Sequence, residues 1–172
     1  GPVSPGMRSY LFELRPGDLI RNVNIIESET NLGLARALNK LIDFSLQFDS
    51  YEYFARMDSD DISAPDRFRK QILFLESHHE IDLCGSFCRE FGASFAKELK
   101  KVPCSHREIV NYSIARCPFI HPTIMFRSRV FSTGVRYPIH TKLTEDMALW
   151  FVLIESGIKM ENIPDPLLDY RI

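Results

Sequence analysis

The apolar positions of the chain follow two different spacings, and their alternation predicts the fold class. From residue 32 onward, apolar residues recur every three or four positions, which predicts a helix running to about residue 48. Residues 53–57 and 83–91 are short apolar and aromatic runs typical of strands. Strands that alternate with helices predict an α/β layered domain. The second half of the chain is less regular, so we expect the central sheet to be mixed.

The same patterns predict the remaining elements. We expect helices at residues 7–14, from Ser63 to about His78, at 106–115 and from Glu145 to Gly157, and strands at 23–27, 122–127, 159–163 and 167–171. Ser63 is expected to begin its helix as a capping residue, with Phe68, Ile72 and Leu75 facing the core.

The two helices that flank the middle of the chain carry recognisable ends. Asn31 is a plausible cap for the helix of residues 32–48, and Thr144 for the helix that begins at Glu145. Gly157 suits the end of that last helix. Its inward-facing residues are expected to be Leu149, Trp150 and Leu153.

Three carboxylates, Asp58, Asp60 and Asp61, directly follow the predicted strand of residues 53–57. Ligands of open α/β sheets bind at the carboxyl ends of strands. In an extended segment Asp58 and Asp60 point the same way, so they could hold Mg²⁺ or Mn²⁺, whose open positions accept diphosphate oxygens. An EF-hand loop starting at Asp58 is excluded, because Ser63 and Arg69 occupy its glycine and glutamate positions. A solvated turn at the start of the next helix stays open as the alternative.

Three further motifs carry weaker signals. Glu145 and Asp146 open a helix, where the backbone dipole favours negative charge, although acidic residues are common in any first turn. Asn31 and Gly33 permit a tight turn before a helix start that could receive an anion. His121 precedes a proline, and a histidine in this position is more often structural than a ligand.

Composition and charge limit the classes of function. A chain of 172 residues is long enough for one domain with a substantial core. The net charge of -2 gives no electrostatic argument for nucleic acid as a partner, and no apolar run reaches the roughly 18 residues that span a bilayer. The four cysteines show no CxxC spacing and suit the free thiols of a reducing cytosol: Cys84, Cys88, Cys104 and Cys117.

Read together, six segments resemble the inverting family 2 glycosyltransferases with the GT-A fold. They are "NLGLARALN", "YFARMDSDDISAPDRFRKQILFLE", "IDLCGSFCREFG", "FIHPTIMFR", "TEDMALWFVLIESG" and "LLDYR". They occur in the order of the family, and they are especially similar to bacterial enzymes that build O-antigen, capsule or exopolysaccharide, including the amylovoran-biosynthesis type. The resemblance implies one GT-A domain over residues 1–172. Because "GPVSPGM" resembles the segment after the second strand of the family, we expect that domain to be partial, lacking its first β-α-β unit and ending early.

The resemblance also implies roles for individual residues. Asp58 and Asp60 stand as the DXD motif, which contacts the ribose of the donor and, through a divalent metal, its diphosphate. Asp60 is the expected direct metal ligand, with Asp58 beside it. Glu145 and Asp146 stand as the ED motif, in which Asp146 would be the catalytic base.

Other residues would complete the site that this resemblance implies. Asn31, Gly33 and Arg36 lie where the family binds the nucleotide side of the donor, whereas His121 and Asp61 are expected to line the active site.

The activity implied is transfer of a sugar from a nucleotide-diphospho-sugar, with a UDP-sugar as the expected donor, to a saccharide or lipid-linked oligosaccharide. It would require Mn²⁺ or Mg²⁺ and would serve bacterial surface polysaccharide synthesis in the cytoplasm, at or near the inner face of the plasma membrane. An unpaired sheet edge would favour self-association. A glycoside hydrolase, a nucleotidyltransferase, and an inactive fragment or non-catalytic nucleotide-sugar-binding module stay open as alternatives.

Overall fold

The computed structural model describes residues 22–48, 50–141 and 143–172. The helix predicted at residues 7–14 lies outside them. The strands are Tyr53–Ala55 (β1), Ile62–Ser63 (β2), Leu83–Phe91 (β3), Met125–Arg127 (β4) and Met160–Arg171 (β5). The helices are Leu34–Ser45 (α1), Arg67–Ser77 (α2), His106–Ser113 (α3), Arg129–Ser132 (α4) and Glu145–Glu155 (α5), with a 3₁₀ turn at His121–Thr123. No helix in these ranges is long and apolar enough to cross a membrane.

The five strands form one mixed sheet in the order β1-β4-β3-β5-β2. β3 and β5 run parallel, and the other neighbouring pairs are antiparallel. The predicted α/β class with a mixed sheet is therefore confirmed.

Helices cover both faces of this sheet. On one face, α5 packs Trp150 against a core that includes Leu83 and Phe126. On the other face, Leu75 of α2 packs with Cys84 and Met125. These two residues are the chain neighbours of Leu83 and Phe126. Because successive strand residues point to opposite faces, the two cores are separated by the sheet.

The most regular predictions are confirmed. The strand at residues 83–91 has the predicted bounds, and helices begin at His106 and Glu145 as expected. Thr144 is the cap position of α5, although its side chain makes no capping hydrogen bond. The inward residues Leu149, Trp150 and Leu153 are fully buried.

The prediction was wrong about where α2 begins and about which of its residues face the core. Ser63 belongs to β2, and α2 begins at Arg67. Leu75 is buried as expected, but Phe68 is 50% and Ile72 37% exposed. The inward positions are taken by Arg67 and Gln71, whose polar groups bind backbone carbonyls of neighbouring segments.

The remaining differences concern short elements. Residues 23–27 form no strand, α1 begins at Leu34 after Gly33 as its cap, and residues 121–123 form a 3₁₀ turn before β4. The two strands predicted at 159–163 and 167–171 are one strand, β5. The register of its pairing with β3 shifts between Ile163 and Pro166. A bulge there accommodates two prolines, which have no backbone N–H to donate to the neighbouring strand.

Candidate active site

The carboxylate motif after β1 begins with an internal ion pair. The ladder between β1 and β4 extends to Arg56, whose N–H donates to the carbonyl of Ile124 at 3.0 Å. Two residues later, Asp58 accepts two hydrogen bonds from the Arg56 guanidinium, each 2.7 Å long. The Arg56 side chain is only 8% exposed, against 37% for Asp58. Asp58 is therefore a charge-compensated carboxylate held in place by a nearly buried cation.

The other two carboxylates of the motif point elsewhere. Asp61 accepts a hydrogen bond from the backbone N–H of Arg171 at 2.9 Å, and its second oxygen is buried with no hydrogen-bond partner among the described residues. Desolvation raises the pKa of the Asp61 carboxyl. Asp60 is exposed, and its carbonyl accepts a hydrogen bond from Arg171 Nε at 3.1 Å. Arg56 thus compensates the charge of Asp58, whereas the negative charges of Asp58 and Asp60 add to the desolvation that raises the pKa of Asp61.

This arrangement bears on the expected metal. The described part of the chain contains no group of three His, Cys, Asp or Glu side chains that could hold a metal ion. Asp60 presents an open carboxylate to solvent, whereas both oxygens of Asp58 are engaged by Arg56. Asp60 is therefore open to an ion that oxygens of a ligand would also bind, whereas Asp58 is already paired with Arg56.

A buried polar network fixes the backbone beneath this motif. Arg67 is fully buried, and it donates to the Arg56 carbonyl at 2.8 Å and to Gln71 Oε1 at 2.9 Å. Gln71 in turn donates to the carbonyl of Thr123 at 2.7 Å. Burial lowers the pKa of Arg67 to about 10, so it stays charged at neutral pH. The network connects the Asp58 loop to the turn that carries His121.

His121 is held in a buried aromatic environment. Its Nε2 lies 2.9 Å from the hydroxyl of Tyr137, and its ring meets Trp150 edge-on at 5.8 Å. Burial, with a smaller contribution from the positive charge of Arg56, lowers the pKa of His121 to about 3. The imidazole is therefore neutral at pH 7 and offers no positive charge to a ligand.

Asp146 lies in the first turn of α5 and is oriented by neutral groups. The N–H of Met147 donates to its Oδ1 at 2.8 Å. The thiol of Cys117 donates to its Oδ2 at 3.4 Å, and the indole N–H of Trp150 donates to that sulfur at 3.2 Å. Asp146 is partly exposed, as is Glu145 beside it.

Tyr137 lies between the two carboxylate motifs. Burial raises the pKa of its phenol, which also interacts electrostatically with Arg56, Asp146 and Asp58. Asn39 of α1 fixes the Tyr137 backbone with two hydrogen bonds of 2.9 and 2.8 Å. The hydroxyl of Tyr137 thus contacts His121, and Tyr137 lies within electrostatic range of Asp58 and Asp146.

A cleft of about 550 Å³ lies between α1 and β1, beside this cluster. Arg56 and Tyr137 contribute to its wall, with apolar residues such as Leu38 and Phe44. Its volume falls within the usual range for small-molecule and cofactor sites.

The expected nucleotide-side residues lie at the beginning of α1. Asn31 Oδ1 accepts a hydrogen bond from the Gly33 N–H at 2.9 Å, and Gly33 has a φ of 73° that favours glycine. Arg36 is exposed beside a shallow hollow that Asn39 also lines. In the described ranges, no hydrogen bond or ion pair joins Asn31, Gly33 or Arg36 to Asp58 or Asp146.

Four functional candidates were missed by sequence reasoning. Arg67 and Gln71 stand four residues apart on the inward stripe of α2, which is the one signal that could have revealed them. Arg56 could have been suspected from its place two residues before Asp58. Cys117 had no local signal, since it is 29 residues from Asp146.

Comparisons with known proteins identify the family of this chain. The family model described as "Glycosyl transferase family 2" matches residues 5–135. The amylovoran biosynthesis glycosyltransferase AmsE of Erwinia amylovora is 37% identical over 99% of this chain and 61% of its own length. The Escherichia coli UDP-Gal:alpha-D-GlcNAc-diphosphoundecaprenol beta-1,3-galactosyltransferase is 33% identical over 87% of this chain and 53% of its own length. The chain therefore spans about half to three-fifths of these relatives.

Solved structures show the same fold. Staphylococcus aureus TarS 1–349 in complex with UDP-GlcNAc matches 87% of this chain with a TM-score of 0.64 at 17% identity, covering 42% of that structure. The complex of the same protein with UDP gives a TM-score of 0.61. The fold is thus the GT-A fold that the resemblance implied.

Proposed function

Because the chain belongs to glycosyl transferase family 2, we propose that it carries the active site of an inverting glycosyltransferase for bacterial surface polysaccharides. The donor would be a UDP-sugar, and the acceptor a saccharide or a lipid-linked oligosaccharide. The names of the Escherichia coli and Erwinia relatives support this class of reaction, and the UDP complexes of TarS support the donor.

One observation carries the proposal. Two carboxylates from distant motifs, Asp58 and Asp146, both interact electrostatically with the buried Tyr137, and they have different surroundings. Asp58 is paired with a cation, as suits a site for charged ligands. Asp146 is held by neutral donors and is partly exposed, as suits a group that must receive a proton.

On the donor side, Arg56 and Asp60 would meet the diphosphate. A guanidinium can bind phosphate oxygens in the same two-pronged way that Arg56 now binds Asp58. Asp60, joined by Asp58, would hold Mn²⁺ or Mg²⁺, which stabilises negative charge on a leaving diphosphate. Asn31, Gly33 and Arg36 would face the nucleotide, and His121 and Asp61 would line the site.

On the acceptor side, Asp146 would act as general base. Its carboxylate takes the proton of an acceptor hydroxyl while the hydroxyl oxygen forms a bond to the anomeric carbon. The bond from that carbon to the diphosphate oxygen breaks on the opposite face, so the configuration inverts. Glu145 would lie beside this reaction without carrying the proton.

The proposal is tested by product analysis with the protein expressed from its complete reading frame. Purified protein is incubated with Mn²⁺, a panel of UDP-sugars and saccharide or polyprenyl-diphosphate-linked acceptors. We expect a glycoside of inverted anomeric configuration, identified by NMR, together with UDP. Release of pyrophosphate would indicate a nucleotidyltransferase, and cleavage of a glycan without nucleotide a hydrolase. Donor binding without turnover would indicate a binding module.

We also propose that copies of this chain associate through β1, at the cytoplasmic side of the membrane. Among the described residues β1 pairs with β4 alone, so its other edge presents unpaired backbone groups beside the apolar cleft. Light scattering over a range of concentrations should show species larger than a monomer. A strict monomer would contradict the association, and exclusive recovery from a cell compartment outside the cytoplasm would contradict the location.

A further inference from the structure

We propose that Cys117 is a positioning residue for Asp146, and that its thiol orients the carboxylate for proton transfer. The inference rests on the proposed function, since it takes Asp146 as the base. It adds a residue that stands outside the DXD and ED motifs.

The thiol is the middle of a three-residue chain. Trp150 Nε1 donates to Cys117 Sγ at 3.2 Å, and Cys117 donates to Asp146 Oδ2 at 3.4 Å. Trp150 is fully buried, and its ring packs against Phe119 and His121, so the donor at the start of the chain is fixed. The thiol is therefore held by a rigid partner on one side and faces the carboxylate on the other.

The carboxylate is thereby fixed at both oxygens. Oδ1 accepts from the Met147 N–H at 2.8 Å, and Oδ2 accepts from Cys117. Two donors on different oxygens define the plane of the carboxylate. A general base accepts a proton through a lone pair that is directed at that proton. The orientation of the carboxylate plane therefore affects the rate of proton transfer.

Cys117 has a second acceptor for its single proton. The carbonyl of Phe119 lies 3.3 Å from Sγ, as near as the carboxylate. An ionised carboxylate is the stronger acceptor, so the thiol donates to Asp146 before the reaction. Once Asp146 has taken the acceptor proton, the thiol can donate to Phe119 instead. The thiol thus accommodates both protonation states without leaving a donor unsatisfied.

The chemistry of the side chain favours this role over reactivity. Burial raises the pKa of the Cys117 thiol, so it stays protonated at neutral pH and keeps the proton it donates. A thiol is a weak donor. We therefore expect loss of the Cys117 thiol to lower the rate of transfer by about 3- to 30-fold. This is less than the factor expected for removing the general base, Asp146.

The kinetic test compares Cys117→Ala with Cys117→Ser, which keeps a donor. We expect Cys117→Ala to lower kcat about 3- to 30-fold with UDP affinity unchanged, and Cys117→Ser to recover most of the loss. Cys104→Ala is the matched control, because Cys104 is also partly buried and its thiol donates to the Val102 carbonyl. Equal turnover of Cys117→Ala and wild type would overturn the inference.

A double-mutant cycle separates positioning from structural damage. If Cys117 acts through the carboxylate, Cys117→Ala should cause no further loss in an Asp146→Asn background. The same loss in both backgrounds would mean that Cys117 acts elsewhere. If Asp146→Asn alone keeps full turnover, the base assignment fails. If Asp146→Asn is inactive and Cys117→Ala is normal, only the present inference fails.

A spectroscopic measurement needs no turnover. The S–H stretch of Cys117 is isolated in the infrared difference between wild type and Cys117→Ala. In Asp146→Asn this band should move to higher frequency, because the amide is a weaker acceptor than the carboxylate. An unchanged band would show that the thiol does not donate to Asp146.

Discussion

Asp58 and Asp146 are the same chemical group in two different environments. Asp58 receives two short hydrogen bonds from a nearly buried guanidinium. Asp146 receives one backbone N–H and one weak thiol donor, all uncharged. The charge of Asp58 is therefore compensated by a cation, whereas the donors that contact Asp146 carry no charge. In the proposed function, ligand binding belongs to the first carboxylate and proton transfer to the second.

The largest effect should come from removing the basicity of the second carboxylate. Asp146→Asn keeps the size of the side chain but cannot take a proton, and we expect kcat to fall about 10²–10⁴-fold. Glu145→Gln, the matched control on the neighbouring residue, should cost less. Single-turnover transfer with saturating donor and acceptor measures both, and an Asp146→Asn rate within a few-fold of wild type would assign the residue to the helix start alone.

The second-largest effect should come from disrupting the buried network that lies beneath Asp58. Arg67→Leu removes the charged donor to the Arg56 carbonyl and the donor to Gln71 Oε1, so we expect a loss of about 3 kcal/mol in the free energy of unfolding. Urea unfolding measures it. Arg69→Leu is the control, because Arg69 is exposed on the same helix. Equal stability of the two variants would show that the network does not support the Asp58 loop.

A pH-dependent effect should follow from the buried histidine. The pKa of His121 is depressed from 6.5 to about 3 in the folded protein, so the unfolded chain binds the extra proton between these values. Stability from this group is fully present above about pH 6.5 and is lost as the pH falls towards 3. Between pH 7 and pH 5 the loss should be about 2 kcal/mol.

His121→Gln provides the comparison for that pH dependence, because it keeps a polar side chain that does not titrate. Urea unfolding at several pH values should show a smaller fall in stability below pH 6.5 for the variant than for wild type. Parallel pH profiles for the two proteins would mean that His121 is not buried in its neutral form.

The smallest effect concerns the open carboxylate of the donor side. Asp60→Ala should weaken Mn²⁺-dependent UDP binding about tenfold, equivalent to about 1.4 kcal/mol. Calorimetry with and without Mn²⁺ separates this from nucleotide binding alone. Asp66→Ala, a nearby partly exposed carboxylate paired with Lys70, is the control. Unchanged metal-dependent affinity would remove Asp60 from the site.

The elements that were predicted correctly are those in which one hydrophobic periodicity determines the secondary structure. β3 and the inward face of α5 have unambiguous patterns, and both were predicted correctly. β2 has two residues, and only its pairing with β5 makes it a strand. The polar inward positions of α2 were missed because their partners come from other segments of the chain.

The residues of the candidate site also include some that the sequence could predict and some that it could not. Asp58, Asp60 and Asp146 could be singled out by motif, since each stands shortly after a strand or at the start of a helix. The sequence could not reveal that Arg56 neutralises Asp58, because side-chain pairing depends on rotamers and burial. Nor could it reveal Cys117, which meets Asp146 only in the folded chain.

The assignment of separate tasks to the two carboxylates is tested most directly by one paired measurement. Asp58→Asn and Asp146→Asn are compared for Mn²⁺-dependent UDP affinity by calorimetry and for single-turnover transfer with saturating donor. We predict weakened donor binding in Asp58→Asn, and wild-type donor affinity with transfer reduced about 10²–10⁴-fold in Asp146→Asn. Loss of donor affinity in Asp146→Asn, with wild-type affinity in Asp58→Asn, would contradict the assignment.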